Sequence, residues 1–227
     1  MEEYSMNKKT GIFIPARLNS ERFPNKLIKP IGDTNLFDIA CQKLNKLPED
    51  INKYALVYDE ELVDIATNYK NIKIVKRDKE TVNVDGPLTY IFKELEYLED
   101  DYLMFLNPCL AFLKKKTILK SIKRFNSTEF RYATSVKLFK NWLFKKREDG
   151  GSLNHIDYKG LSTKDITPLY QAAHCFHIFD KNKFFENGLM LSPRTQLIEV
   201  PEEETIDVDT EEDYKYVKWK YEYENSN

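Results

Sequence analysis

The chain has 227 residues, of which 41% are hydrophobic and 32% charged, enough to bury the core of one α/β domain. Its 35 basic and 37 acidic side chains leave a formal charge of −2, which excludes a sequence-wide basic field that would recruit nucleic acid or an anionic membrane. No apolar stretch reaches bilayer-spanning length, the start lacks the apolar core of a secretion signal, and Cys41, Cys109 and Cys175 form no Cys-x-x-Cys pair. A cytosolic chain with reduced thiols is expected.

Ile12, Phe13 and Ile14 form a short apolar run with the residue types of a buried strand, and Pro15 ends it because proline donates nothing to a ladder. The loop beyond holds Arg17, Ser20, Arg22 and Lys26. Neither helical nor strand spacing puts these four on one surface, so only a folded loop makes them converge. Three cations, a hydroxyl and free backbone N–H groups suit an oligophosphate. An ordinary basic turn is the alternative.

A helix is then expected through Leu36, Ile39, Ala40, Leu44 and Leu47, stopped by Pro48. Strands follow at 54–58 and 72–75, separated by a helix through Leu62, Val63, Ile65 and Ala66. Pro87 starts a helix carrying Ile91, Phe92 and Leu95, residues 101–106 form a buried strand broken by Asn107 and Pro108, and 114–125 form an amphipathic helix. Repeated βα units imply a three-layer α/β/α sandwich with a mostly parallel, Rossmann-like sheet and ligands at the carboxyl ends of its strands.

From about residue 130 the pattern changes to a strand at 132–139, the turn Gly150-Gly151 and a polar stretch to Pro168, read as a small inserted arm at about 135–170. A strand at 173–179 follows. His174 and His177, three apart in it, are expected on opposite faces, which excludes a shared zinc site. After a strand at 197–200 comes Ile206-Asp207-Val208-Asp209-Thr210, then a helix for which Thr210 is a suitable N-cap. In that final helix Tyr214, Val217 and Tyr221 form a packing stripe with lysines outside it. The whole is expected to be one domain, 1–227, with its first ten and last four residues fraying.

If 206–210 is extended, Asp207 and Asp209 present two carboxylates on one face, the oxygen-rich site that Mg²⁺ prefers. The alternative is that Asp209 caps the helix and Asp207 pairs with a lysine.

The segment 14–26 resembles the opening motif of the acylneuraminate cytidylyltransferase family, the CMP-sialic acid and CMP-Kdo synthetases, whose pattern I-P-A-R-x-x-S-x-R-[LF]-P-x-K is met at every fixed position. Segment 206–213 resembles the same family's I-D-[IV]-D-x-x-E-D. The resemblance implies a nucleotide-diphospho-sugar transferase type of fold in which CTP is coupled to a small acidic sugar. It implies that Ala16, Arg17, Ser20, Arg22 and Lys26 bind the nucleotide, with Arg17 and Lys26 catalytic in stabilising the charge of departing pyrophosphate. Asp207 and Asp209 would hold Mg²⁺, Asp209 being catalytic.

By a looser match Arg77, after Val75-Lys76, faces the nucleotide, with Asp85 beyond it, while Asn107 and Gln171 contact the acceptor. The family's Q-P-T-S-P-L or G-D-E-P-L is replaced by residues 107–113, Asn-Pro-Cys-Leu-Ala-Phe-Leu, which makes a more apolar acceptor pocket the expectation. A homodimer through the arm, aided by Phe139, Trp142, Leu143 and Phe144, is also implied. Another nucleotide, a phosphonate-type acid acceptor, or a non-catalytic nucleotide- or partner-binding role stay open.

Overall fold

The computed structural model describes residues 8–82, 85–145, 151–152, 163 and 166–226. Strand β1 (Thr10–Pro15) sends Ile12 and Ile14 into one apolar core and Phe13 into another, all fully buried. A strand buried on both faces requires layers above and below it, and its neighbours alternate in the same way. In β2 (Lys53–Val57), Ala55 and Val57 share the first core while Tyr54 and Leu56 share the second.

The order continues through α1 (Leu36–Asn45), which precedes β2, then α2 (Glu60–Thr67), β3 (Lys73–Lys76), α3 (Lys79–Val82), α4 (Leu88–Ile91), β4 (Tyr102–Leu106) and α5 (Lys115–Asn126). After these come β5 (Tyr132–Phe139), the short pair β6 (Phe144–Lys145) and β7 (Gly151–Ser152), β8 (Leu169–Asp180), α6 (Lys181–Asn187), β9 (Gln196–Glu199) and α7 (Glu211–Ser226). Seven strands form one sheet in the order β3-β2-β1-β4-β8-β5-β9. β1 is parallel to β2 and β4, β2 to β3, and β5 to β9, while β8 runs antiparallel to both its neighbours. α1, α5 and α7 contribute Leu44, Ile122 and Val217 to the first core; α6 and the 92–98 segment contribute Phe184, Phe92 and Leu95 to the second. The expected three layers and mostly parallel sheet are therefore present.

Several expectations are corrected. The helix from Pro87 breaks after Ile91 and resumes as a 3-10 segment over Lys93–Tyr97. Arg77 Nη2 takes the Ile91 carbonyl at 2.8 Å, and the Leu95 N–H turns to Phe92 O instead. The amino-terminal side is held from Lys8 onward. Its ammonium donates to the carbonyls of Thr128 and Phe130, both at 2.6 Å, just past the end of α5, where a cation suits the helix dipole. Residues 1–7 of the expected frayed start lie outside the described residues, as does most of the polar arm between 146 and 165. At the other end α7 runs to Ser226, so the last four residues do not all fray.

Gly11 is required by a close approach. A Cβ there would sit 2.4 Å from Asp100 Oδ2. Asp100, buried, accepts from Tyr54 Oη at 2.7 Å and Asn52 Nδ2 at 3.1 Å, tying the start of β1 to β2 and β4.

Candidate active site

The site is assembled at the carboxyl ends of β1, β2 and β4. Ala16 is buried and donates its N–H to Leu56 O at 3.0 Å, extending the β1–β2 ladder into the loop. Asp59 Oδ2 accepts the Leu18 N–H at 3.0 Å, and the Asn25 N–H returns to Leu18 O at 2.9 Å with Asn25 left-handed at φ 58°. The loop is thus closed by its own backbone, with Ser20 half-buried inside the turn and its N–H also on Leu18 O. Phe23, its one buried aromatic, packs 5.5 Å from the Tyr214 ring of α7.

Residues 205–209 join no strand ladder, which corrects the expectation of an extended strand pair. They still bring both carboxylates to the loop. Arg22 Nη1 and Nη2 donate to Asp209 Oδ2 and Oδ1, each at 2.9 Å. Lys26 Nζ donates to Asp209 Oδ1 at 3.1 Å and Val208 O at 2.6 Å. The start of α7 is fixed by a capping box: the Asp213 N–H donates to Thr210 Oγ1, while Asp213 Oδ2 accepts from Thr210 N. Asp213 Oδ2 also takes the Asp209 N–H at 3.1 Å, so Thr210, not Asp209, is the cap.

Burial works against the Lys26 charge, yet its pKa lies above the usual lysine value, raised by the sulfur of Cys109 and by Asp209 and Asp207. Burial pushes the Cys109 thiol up to about 12, so it is protonated at neutral pH, and there the two carboxylates hold the Lys26 charge.

Asp207 is half-buried, and burial followed by repulsion from Asp209 raises its pKa, opposed by Lys26, Asn107 and His174. Its Oδ2 accepts from Asn107 Nδ2 at 3.0 Å. Its Oδ1 is buried and has no hydrogen-bond partner among the described residues. A carboxylate oxygen left in that state is costly unless a cation reaches it. Among the described residues no group of three or more His, Cys, Asp and Glu is arranged around a common metal position. Two carboxylates suit Mg²⁺ nonetheless, since that ion takes one or two carboxylates and completes its shell with substrate phosphates and water. Asp207 and Asp209 are the residues that fit it.

The convergence expected of the four loop side chains is partial. Arg17 points away from Arg22 and Lys26 and donates to Val82 O at 2.8 Å. It lines a cleft of about 300 Å³ with Ala16, Arg77, Asp85, Leu88 and Phe92 among others. Arg77 is buried under this cleft, donating to Thr81 O at 2.7 Å and stacking its guanidinium 5.3 Å from the Phe92 ring. Desolvation lowers its pKa, partly offset by Glu94.

The 107–113 segment corrects a second expectation. Leu110, Ala111 and Leu113 are buried in the first core, and the Phe112 ring lies 5.0 Å beneath the Lys220 ammonium of α7. Asn107 hydrogen-bonds Asp207, and Cys109 of the same segment lies beside Lys26 and Asp207. Gln171 is exposed, paired with Lys137 in the β5–β8 ladder. His174 and His177 are not on opposite faces: their rings lie 6.1 Å apart. His174 is left-handed at φ 52°, where the register of β5 and β8 shifts, and one such residue resets the alternation. The bulge sets His174 beside Asp207, and its carbonyl accepts from Asn107 Nδ2 at 3.2 Å. Sequence reading also missed Asp59, although its place just after β2 was a signal, and Cys109, for which there was none.

A family comparison decides what this arrangement belongs to: the cytidylyltransferase family model matches residues 12–223. The chain belongs to the cytidylyltransferase family. It is a nucleotidyltransferase of the acylneuraminate cytidylyltransferase type. No curated protein matches it by sequence. Among solved structures it is similar to a CMP:2-keto-3-deoxy-manno-octonic acid synthetase determined with CTP, at 12% identity and TM-score 0.68 over 96% of this chain and all (100%) of that one. It is also similar to 4-diphosphocytidyl-2C-methyl-D-erythritol synthase from Anaerococcus prevotii, at 13% identity and TM-score 0.65 over 95% of this chain and 96% of that one. A cytidylyltransferase from Leptospira borgpetersenii matches at 17% identity and TM-score 0.59 over 95% of this chain and 87% of that one. At these identities the structures establish a shared fold. Among the described residues of this cytidylyltransferase no helix is long and apolar enough to cross a membrane.

Proposed function

We propose that this cytidylyltransferase couples CTP to a small acidic sugar, a nonulosonic or ulosonic acid, giving a CMP-sugar and pyrophosphate. The observation that carries this reading is the meeting of Arg22 and Lys26 with Asp209, beside Asp207 and its unpartnered buried oxygen. Cations for a polyphosphate and carboxylates for a divalent ion are needed together only where both are bound together.

Arg22 and Lys26 bind the β- and γ-phosphates and stabilise the charge that develops as pyrophosphate departs. Ser20 and the loop N–H groups complete the grip. Arg17 and Arg77 border the cleft beside Ala16, which takes the nucleoside end, and Arg17 swings from Val82 O to the phosphates as a catalytic cation. Asp207 and Asp209 hold Mg²⁺, which when bound neutralises phosphate charge and lowers the pKa of an attacking hydroxyl. Asn107 orients Asp207. Since its Nδ2 is taken by Asp207 and the His174 carbonyl and its Oδ1 accepts the Cys109 N–H, an acceptor would meet only the remaining lone pair of Oδ1. Gln171 is kept as an acceptor contact from the family resemblance. The described ends of the arm, 136–139 and 169–172, extend the β5–β8 ladder, and Leu138, Phe144 and Tyr170 are exposed, which supports a homodimer contact there. The chain is read as one domain working in the cytoplasm, with no nucleic-acid or membrane partner.

The test is pyrophosphate release from CTP and Mg²⁺ with a panel of acidic sugars and phosphonate acids. Release with an acidic sugar supports the reading. Release only with another nucleoside triphosphate or only with a phosphonate replaces it, and CTP binding without release with any acid identifies a non-catalytic descendant.

A further inference from the structure

A second cleft, of about 520 Å³, opens where α1, the start of α5 and α7 meet. None of its lining residues belongs to the phosphate loop or to the Asp207–Asp209 segment. Five lysines line it, Lys43, Lys46, Lys114, Lys115 and Lys220, against two carboxylates, Glu203 and Glu224. Lys220 pairs with Glu224, and Lys114 lies 3.9 Å from Glu204. Among the described residues neither Lys46 nor Lys115 has an ion-pair partner. In a chain of formal charge −2 this is a local excess of cations, and a concave wall focuses their field.

A further observation points the same way. Lys43 is half-buried, its ammonium donates to Leu110 O at 2.6 Å, and desolvation pulls its pKa down to about 7. At that pKa Lys43 carries its charge only in part at neutral pH, and an anion in the cleft would draw the proton back onto it. The first turn of α5 contains no acidic residue, and its N-cap, Lys114, supplies no side-chain cap. That helix end already holds an anion: the buried Glu204 carboxylate accepts the Lys114 N–H at 2.9 Å, so the unpaired charge of the cleft lies in the side chains of Lys46 and Lys115. Phe112 and Tyr221 give the cleft an apolar wall, and its volume is that of a small-molecule site.

We propose that this cleft is a second binding site, for a small soluble compound carrying a multiply charged phosphate group. Several lysine point charges around one hollow favour compact, highly charged phosphate over a single carboxylate. The site is independent of the transferase reading, because it shares no residue with the phosphate loop.

The probe is inorganic pyrophosphate, titrated calorimetrically at physiological ionic strength into the full chain carrying Arg22→Ala and Lys26→Ala, which removes both phosphate cations proposed for the front site. Aromatic NMR shifts of Phe112 and Tyr221 are followed in parallel. Expected are saturable binding with one equivalent, shifts at both rings, and affinity at least about tenfold weaker once Lys46→Glu and Lys115→Glu are added. Both added positions are exposed, so an unchanged melting temperature verifies that the fold survives. Absence of binding in the Arg22→Ala/Lys26→Ala protein, binding that leaves both rings unshifted, or binding unaffected by the two charge reversals overturns the proposal.

Discussion

Arg22 grips Asp209 through two hydrogen bonds of 2.9 Å, so the carboxylate assigned to the metal occupies the guanidinium assigned to the phosphates. On the proposed function the pair stands in for the ligands: with CTP and Mg²⁺ bound, Arg22 would turn to phosphate and Asp209 to the cation. Asp209→Asn therefore has two opposed effects. Pyrophosphate release should be abolished, while metal-free CTP should bind about three- to tenfold tighter, because a competing anion worth about 1 kcal/mol has been removed from the loop. Calorimetry with and without Mg²⁺ checks both. Weaker metal-free binding would show that Asp209 does not compete for Arg22.

Lys26 is less exposed than Arg22, with 13% of its side chain accessible against 69%, so its charge is the less screened of the two. Lys26→Ala should lower kcat by about a hundred- to a thousandfold, the loss typical of one charge-stabilising donor. Arg22→Ala should act mainly on the KM for CTP. Steady-state kinetics separates them, and equal effects on both parameters in both variants would refute the division.

His177 is held neutral well into acid. Burial, and then His174, lowers its pKa to about 4 from 6.5, and its Nδ1 lies 2.9 Å from Thr134 Oγ1. Between those values the unfolded chain binds the proton and the folded chain does not, so stability falls as the pH drops from 6.5 towards 4. His177→Gln should flatten this limb of the stability–pH curve while keeping a partner for Thr134. Denaturant melts across that range measure it; an unchanged slope would sink the assignment.

Gly11→Ala should destabilise the fold by about 1–3 kcal/mol, the range for overpacking, because the new Cβ meets the Asp100 carboxylate at 2.4 Å. The double variant Gly11→Ala/Asp100→Ala relieves the clash, and a double-mutant cycle should show strong coupling. Additive losses would place the cost of the single variant elsewhere.

The sheet was readable in the residues because each buried strand is a short apolar run punctuated by Pro, Asn or Gly, and because strand and helix periods alternate up to residue 126. The break after Ile91 was not readable. It depends on Arg77, fourteen residues away, capturing one carbonyl, and no local pattern carries that contact. His174 failed for a related reason: alternation assumes an unbroken pleat, and a single left-handed residue in β8 turns its ring towards His177. Residues 110–113 misled because apolar side chains following a site residue were assigned to the site, whereas three of the four serve the core.

What the sequence by itself determined is the inventory and its order: a cationic loop after the first strand, two carboxylates before the last helix, and a mostly parallel sheet between them. Those features are local, set by side-chain chemistry and short-range spacing. Only the tertiary structure decided which partners meet. It brought Arg22 and Lys26 to Asp209 across more than 180 residues of chain, left Asp207 Oδ1 without a partner, turned Arg17 towards a different cleft, and gathered lysines from α1, α5 and α7 around one hollow. Such pairings depend on how elements pack, and packing is a property of the whole chain that no segment encodes alone.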